Sequence, residues 1–209
     1  MMPRGLLLDA MGTLIGLRNP LGHTYAAVAA RHGLELRATA VTTAFAAVWR
    51  EAPPLAFPGL SGAELDAAER AWWGQRIDAT LVASGAAPAP LALHHDLFDA
   101  FADPALWQPY NDVAPMLERW HRRGLRLAVV SNFDQRLHGL LAGLGLLSWL
   151  EVVVISSSAG AAKPSALPFL QALAALNLPA EAVWHVGDSD EDVEGARAAG
   201  IRPVRIRRR

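Results

Sequence analysis

Five short apolar runs, each closing on polar or glycine-rich residues, punctuate the chain: Gly5 to Leu8, Leu125 to Val130, Val152 to Ile155, Val183 to Val186, and Pro203 to Ile206. Apolar runs of this length without polar alternation predict strands buried on both faces. Helical spacing appears between the last four, over Arg136 to Leu144, Ser165 to Leu176 and Asp192 to Ala199. Strands alternating with helices predict a parallel sheet covered on both sides, an α/β fold.

Almost no strand-like alternation occurs between the first two runs. Alanine, leucine and tryptophan recur there at helical spacing instead, as in Tyr25 to His32 and Thr39 to Trp49. Ser61 and Glu64 have the spacing of a capping box and open the helix that carries Trp72 and Trp73. Proline-rich breaks fall at Pro53-Pro54 and at Ala87 to Pro90. The expected organisation is therefore a core from residues 1–18 and 108–209, with residues 19–107 inserted as a helical lid.

Composition fits that division. A chain of 209 residues with 52% hydrophobic content can bury one good core and an appended module. A formal net charge of -1 gives no general attraction for nucleic acid or an anionic membrane. The one basic run, RIRRR at Arg205 to Arg209, reads as a solvated strand end and tail. Cysteine is absent, which excludes disulfides, thiol catalysis and cysteine metal sites. The apolar run before Asp9 is too brief for a secretory signal and no stretch reaches spanning length, so the expected location is cytoplasmic.

In an open parallel sheet, ligands bind outside the carboxyl ends of the strands. The residues at those ends are Asp9, Ser131 with Asn132, Ser156 to Ser158, and Asp188. Lys163, in GAAKPS, follows the third run and brings a cation near the carboxylates. Asp9 and Asp188 are hard oxygen ligands of the kind magnesium takes together with phosphate oxygens and water. Asp192, four residues on, could tie down that metal or its waters, and Ser131 and Lys163 could hold an anionic group opposite. Such a cluster suits phosphoryl transfer with an aspartate nucleophile.

LLLDAMGTL, VVSN, AAKP and HVGDSDEDVEGARAAG, in that order, resemble the four motifs of the haloacid dehalogenase-like hydrolase superfamily, and the lid resembles its type 1 helical cap. The resemblance implies a Rossmann-like, doubly wound core, an aspartyl-phosphate intermediate in its many phosphatases, and Mg2+ as cofactor. By position it implies Asp9 as nucleophile and Met11 as donor of a backbone carbonyl to the metal. Ser131 and Asn132 would contact the phosphate, Lys163 would stabilise the intermediate, and Asp188 with Asp192 would complete the metal site. DAMGTL, the intact GDxxxD and the Trp72-Trp73 helix together resemble the haloacid dehalogenase-like hydrolase domain-containing 3 group.

Met11 departs from the pattern, because most phosphatases of the superfamily carry there a second aspartate as general acid and base. The expected substrate is thus a small phosphorylated metabolite with a good leaving group. D-A-x-G-T-L also resembles the 2-haloacid dehalogenases, so carbon-halogen hydrolysis by Asp9 is the alternative, and a weakened member that binds a metabolite or a protein is a third. Elsewhere the bland readings are preferred. His94-His95 form a solvated helix end rather than a zinc pair, and His185 is a half-buried strand residue. Trp49, Trp72, Trp73 and Trp107 belong to the lid core, while Arg70 and Arg76 are solvated or salt-bridged within the lid. Oligomeric state is left open.

Overall fold

The computed structural model describes residues 2–208. The chain enters through β1 (Gly5–Leu8) and a short β2 (Ile15–Leu17), then builds the lid from α1 (Leu21–Arg31), α2 (Ala38–Arg50), α3 (Gly62–Ala83) and α4 (Leu91–Ala100). It returns through β3 (Trp107–Pro109), α5 (Val113–Arg122), β4 (Arg126–Ser131) and α6 (Arg136–Gly143). The remainder runs β5 (Val152–Ile155), α7 (Ser156–Ala159), α8 (Leu167–Leu176), β6 (Val183–Gly187), α9 (Asp190–Ala198) and β7 (Arg202–Arg205).

Five strands form one parallel sheet in the order β5-β4-β1-β6-β7. The strands are apolar throughout because both faces are covered. Leu6, Leu8, Leu127 and Val129 pack on one side against Leu117, Leu137 and Leu140. Leu7, Ala128 and Val130 pack on the other against Phe169, Ala172 and Leu176. Fully burying each such leucine is worth about 1.5–3 kcal/mol. Successive strands leave β1 through β4 to β5 on one side, then resume through β6 to β7 on the other. The strand order thus reverses at β1, and a crevice opens at its carboxyl end where Asp9 stands.

The lid helices have a core of their own, with Tyr25, Val28, Val41, Ile77, Leu81, Leu93 and Leu97 buried together. Two features at its base are absent from the sequence expectation. β2 and β3 pair antiparallel, Ile15 with Pro109 and Leu17 with Trp107, and so clasp the two chain crossings between sheet and lid. Strands of three residues are too short for a period to register. Trp107 consequently packs into the sheet's core rather than the lid's, its indole donating to Phe101 O at 3.1 Å.

Three further expectations need correction. Ser61 does cap α3, but its side chain makes no capping hydrogen bond, so the Ser61–Glu64 box does not form. His185 is fully buried, not half-buried. The basic tail folds back: Arg208 donates to Thr13 O and to Asp112 Oδ1 at 2.5 Å, and Arg205 pairs with Asp190, while Arg209 lies outside the described residues. In the lid, His94 bonds Asp78 at 2.8 Å and His95 is exposed, and Arg70 bridges Asp66 and Asp99. Arg76 bonds Gln75 rather than an acid and stacks on Trp72. No helix among the described residues is long and apolar enough to cross a membrane.

Candidate active site

Asp9 follows β1 directly, and its backbone N–H continues the sheet by donating to Val186 O at 2.9 Å. The carboxylate is 5% exposed. Its Oδ1 accepts from Lys163 Nζ at 2.7 Å and from Ser131 Oγ at 3.3 Å. Its Oδ2 is buried and has no hydrogen-bond partner among the described residues. A buried, half-satisfied carboxylate is costly, which points to a ligand or a reaction rather than to structure.

The turn after Asp9 is tight. Ala10 O accepts from the N–H groups of Thr13, Leu14 and Ile15, and Gly12 N donates to Ile15 O. The Met11 carbonyl accepts none of these loop bonds. Gly12 has φ 84°, a left-handed conformation that costs glycine nothing. A Cβ there would also stand 2.5 Å from Asp188 Oδ2, so the glycine lets the loop approach that carboxylate. Thr13 Oγ1 donates to Asp188 Oδ1 at 3.4 Å.

Lys163 joins the two sides of the crevice. Besides Asp9 it donates to Asp192 Oδ1 at 2.6 Å and to Val130 O at 3.3 Å. Burial by itself would lower the ammonium's pKa, but the Asp9 and Asp192 charges outweigh it and hold the pKa above the usual lysine value. Asn132 holds this lysine in place, accepting from Lys163 N at 2.7 Å and donating to Lys163 O at 3.1 Å. Its amide also donates to Glu191 Oε2 at 3.0 Å, so its polar atoms are already engaged.

Asp192 is the most heavily bonded acid. Its Oδ1 accepts from Lys163 and from His185 Nε2 at 2.9 Å; its Oδ2 accepts from Ser189 N at 3.1 Å and Ser189 Oγ at 2.7 Å, in the capping box that starts α9. Burial opposes its ionisation, yet the His185 bond and the Lys163 charge hold it well below the ordinary carboxylate range. Gly187 is obligatory beside it, because a Cβ there would fall 2.2 Å from Asp192 Cγ. Asp188 is displaced upward, by burial first and then by the Asp9 and Asp192 charges. Burial raises Glu191 as well. Carboxylate oxygens of Asp9, Asp188 and Asp192 lie within 4.8 Å of one another. Four acids facing a single lysine leave room for a cation.

The structure thus gathers Asp9, Ser131, Asn132, Lys163, Asp188 and Asp192 in one crevice, with the Met11 backbone at its edge. Ser156 does not join them: its hydroxyl donates to Leu55 O, in the lid, at 2.6 Å. Sequence reasoning missed Glu191 and the His185 contact, although a histidine seven residues before Asp192 on an inward strand position was the available signal. It also missed the seam between lid and core. There Trp73 Nε1 donates to Asp134 Oδ2 at 2.7 Å, Arg136 bonds Asp134 and Phe98 O, and Glu69 accepts from Gln135 N at 3.2 Å.

Comparison with known proteins places the chain in a family. The family model described as "haloacid dehalogenase-like hydrolase" matches residues 3–200. The human haloacid dehalogenase-like hydrolase domain-containing protein 3 is 37% identical over 203 residues, covering 95% of this chain and 79% of the human one. A glyceraldehyde 3-phosphate phosphatase of Methanopyrus kandleri is 34% identical over 142 residues, covering 64% of this chain and 59% of its own. The solved L-2-haloacid dehalogenase of Xanthobacter autotrophicus superposes with a TM-score of 0.69 at 22% identity, covering 98% of this chain and 78% of that one, a likeness of fold. With a family model spanning nearly its whole length and the four strand-end motifs meeting in one crevice, the chain belongs to the haloacid dehalogenase-like hydrolase family.

Proposed function

We propose that the protein is a magnesium-dependent phosphatase of a small phosphorylated metabolite, working through an aspartyl phosphate on Asp9 and favouring good leaving groups. The observation that carries this reading is the state of Asp9: one oxygen bonded to Lys163 and Ser131, the other buried and unpartnered. A phosphatase relative at 34% identity supports the choice of phosphorus as the centre attacked.

The residues fit a magnesium ion. Asp9 Oδ2 lacks a partner among the described residues, Asp188 is pushed upward by burial and then by the Asp9 and Asp192 charges, and the Met11 carbonyl is free of the loop's bonds. These three would hold the ion, whose charge would neutralise phosphate oxygens. Both Asp192 oxygens already accept two hydrogen bonds each, so its part is to position Lys163.

In the first step an Asp9 oxygen attacks phosphorus, and the bond from phosphorus to the leaving oxygen breaks. Lys163 and Ser131 balance charge on the phosphoryl group. The leaving oxygen departs as an anion, because Met11 carries no proton to give it. Water then attacks the same phosphorus, both its protons leave with the phosphate, and Asp9 is restored. A positioned acid typically contributes about 10²- to 10⁴-fold, which acyl and aryl phosphates can forgo and alkyl phosphates cannot.

Incubation with acetyl phosphate, p-nitrophenyl phosphate and glycerol phosphate tests this, with and without magnesium and beside Asp9→Asn. The first two should release phosphate in dependence on both metal and Asp9. Release that survives in Asp9→Asn would refute the mechanism. The D-A-x-G-T-L stretch keeps carbon-halogen hydrolysis as the second reading, and chloride release from 2-chloropropionate without metal would favour it. The acids around Lys163 oppose it, since they would repel a haloacid carboxylate.

A further inference from the structure

An apolar cavity of about 530 Å³ lies between lid and core, and it begins at the catalytic loop. Met11, two residues after Asp9, and Asn132, next to Ser131, are among its lining residues. Phe45, Trp49 and Trp73 form a wall, and Tyr25 lies among the same residues. The wall is ordered: Phe45 and Trp49 stack at 5.8 Å and 16°, and Trp49 and Trp73 at 5.9 Å and 24°. These rings pack on one another and make this part of the lining apolar.

Arg50 also lines the cavity, with its Nε donating to Ala46 O at 3.3 Å, and the remaining polar lining groups are mostly engaged. The Asn132 amide is engaged by Lys163 and Glu191, and the Arg136 guanidinium by Asp134 and Phe98 O. Tyr25, 2% exposed, is the tyrosine of the lining. A polyhydroxylated leaving group would lose its water here and find too few replacements. A flat ring would lose little and gain contact on several sides.

We infer that this cavity takes the leaving group, and that the substrate class is a phosphate carried on a ring-sized apolar group, an aryl ester or an aromatic acyl phosphate. Met11 then serves as a contact: the position without a proton donor is the one whose side chain, 45% exposed, lines the apolar space. Both source chemistries release a stabilised oxyanion, so the missing acid and the aromatic wall point the same way. The inference rests on the phosphatase reading for its phosphate end.

Two measurements separate the two claims. Wild-type protein with magnesium is assayed on benzoyl phosphate and acetyl phosphate, which share a leaving chemistry and differ by the ring. The benzoyl compound should have kcat/KM at least about tenfold higher. Calorimetry on Asp9→Asn protein with magnesium then compares 1-naphthyl phosphate, benzoyl phosphate, glycerol 2-phosphate and inorganic phosphate. The two ring compounds should bind at least about tenfold tighter than inorganic phosphate, and glycerol 2-phosphate should not. Tighter binding of the naphthyl ester assigns the aryl source, and the reverse assigns the acyl source. Ala46→Trp, which fills the cavity from α2, should collapse the ratio of naphthyl phosphate to inorganic phosphate affinity toward one, with circular dichroism reporting its folding. Equal kcat/KM together with equal affinities would overturn the inference while leaving the phosphatase reading intact. Absence of turnover with tight, ring-dependent binding would refute the phosphatase and uphold the apolar pocket.

Discussion

Lys163 Nζ lies 2.7 Å from Asp9 Oδ1 although 154 residues separate them, and it reaches Asp192 at 2.6 Å from the same buried position. This ammonium is the buried cation that both carboxylates face in a crevice that excludes most water.

Lys163→Met keeps the length of the stem and removes the charge. Asp9 and Asp192 are then buried without their cation, a change of the kind that costs about 3–5 kcal/mol when one partner of a buried pair is lost. Urea denaturation at neutral pH should show that loss, together with phosphate release reduced to background. A variant as stable as wild type would mean that water already solvates the crevice.

Asp188→Asn should act with opposite signs depending on the metal. Without magnesium it removes a carboxyl held above its usual range by burial and then by the Asp9 and Asp192 charges, so the variant should melt at or above wild type. With magnesium at a hundred times its dissociation constant, a bound ion stabilises the fold by about 2.7 kcal/mol, and the variant should lose most of that gain. Thermal melts with and without magnesium check both signs, and an equal magnesium response in the two proteins would remove Asp188 from the metal site.

The strand-end residues were legible because each sits where an apolar run stops, a boundary that local sequence records. Asp9, Ser131 and Asp188 needed no knowledge of the lid to be picked out. Trp73 and Asp134 illustrate the opposite case: 61 residues apart, on a helix and on a loop, they meet only because the lid closes over β4, and no local period records that meeting. Trp49 and Trp73 read as lid core for the same reason. An aromatic at helical spacing shows which face is apolar but not whether that face meets protein or a cavity. The β2–β3 clasp escaped because three-residue strands pair by position rather than by pattern.

Met11→Asp should place a carboxyl at the mouth of the apolar cavity, at a side-chain position exposed enough to exchange protons. Turnover of glycerol phosphate, whose alkoxide needs a proton, should rise by about 10²-fold. Benzoyl phosphate should gain nothing from that proton and should lose part of its apolar contact. Steady-state kinetics on both substrates check the crossing of the two effects, and a uniform loss on both would show that Met11 is needed for the shape of the loop.

Glu69 extends the argument from the crevice to the seam above it. The residue is 1% exposed on α3, its carboxyl accepts from Gln135 N at 3.2 Å and Gln135 Nε2 at 3.4 Å, and the buried Ser157 hydroxyl lies beside it. Burial, reinforced by the Asp134 charge, raises its pKa. A carboxyl raised in the folded state favours folding while protonated: the contribution is fully present below the unfolded value of about 4.3 and is lost as pH rises through the folded value. Glu69→Gln cannot ionise, and its carbonyl can still accept from Gln135 N. The variant should therefore match wild type below about pH 4 and become progressively more stable than wild type above it, reaching a constant difference beyond the raised folded value. Denaturation midpoints across pH 3 to 8 would measure this. A difference that shrank as pH rose would mean that the ionised carboxylate stabilises the seam, and that the lid is held to the core by charge rather than by neutral hydrogen bonds.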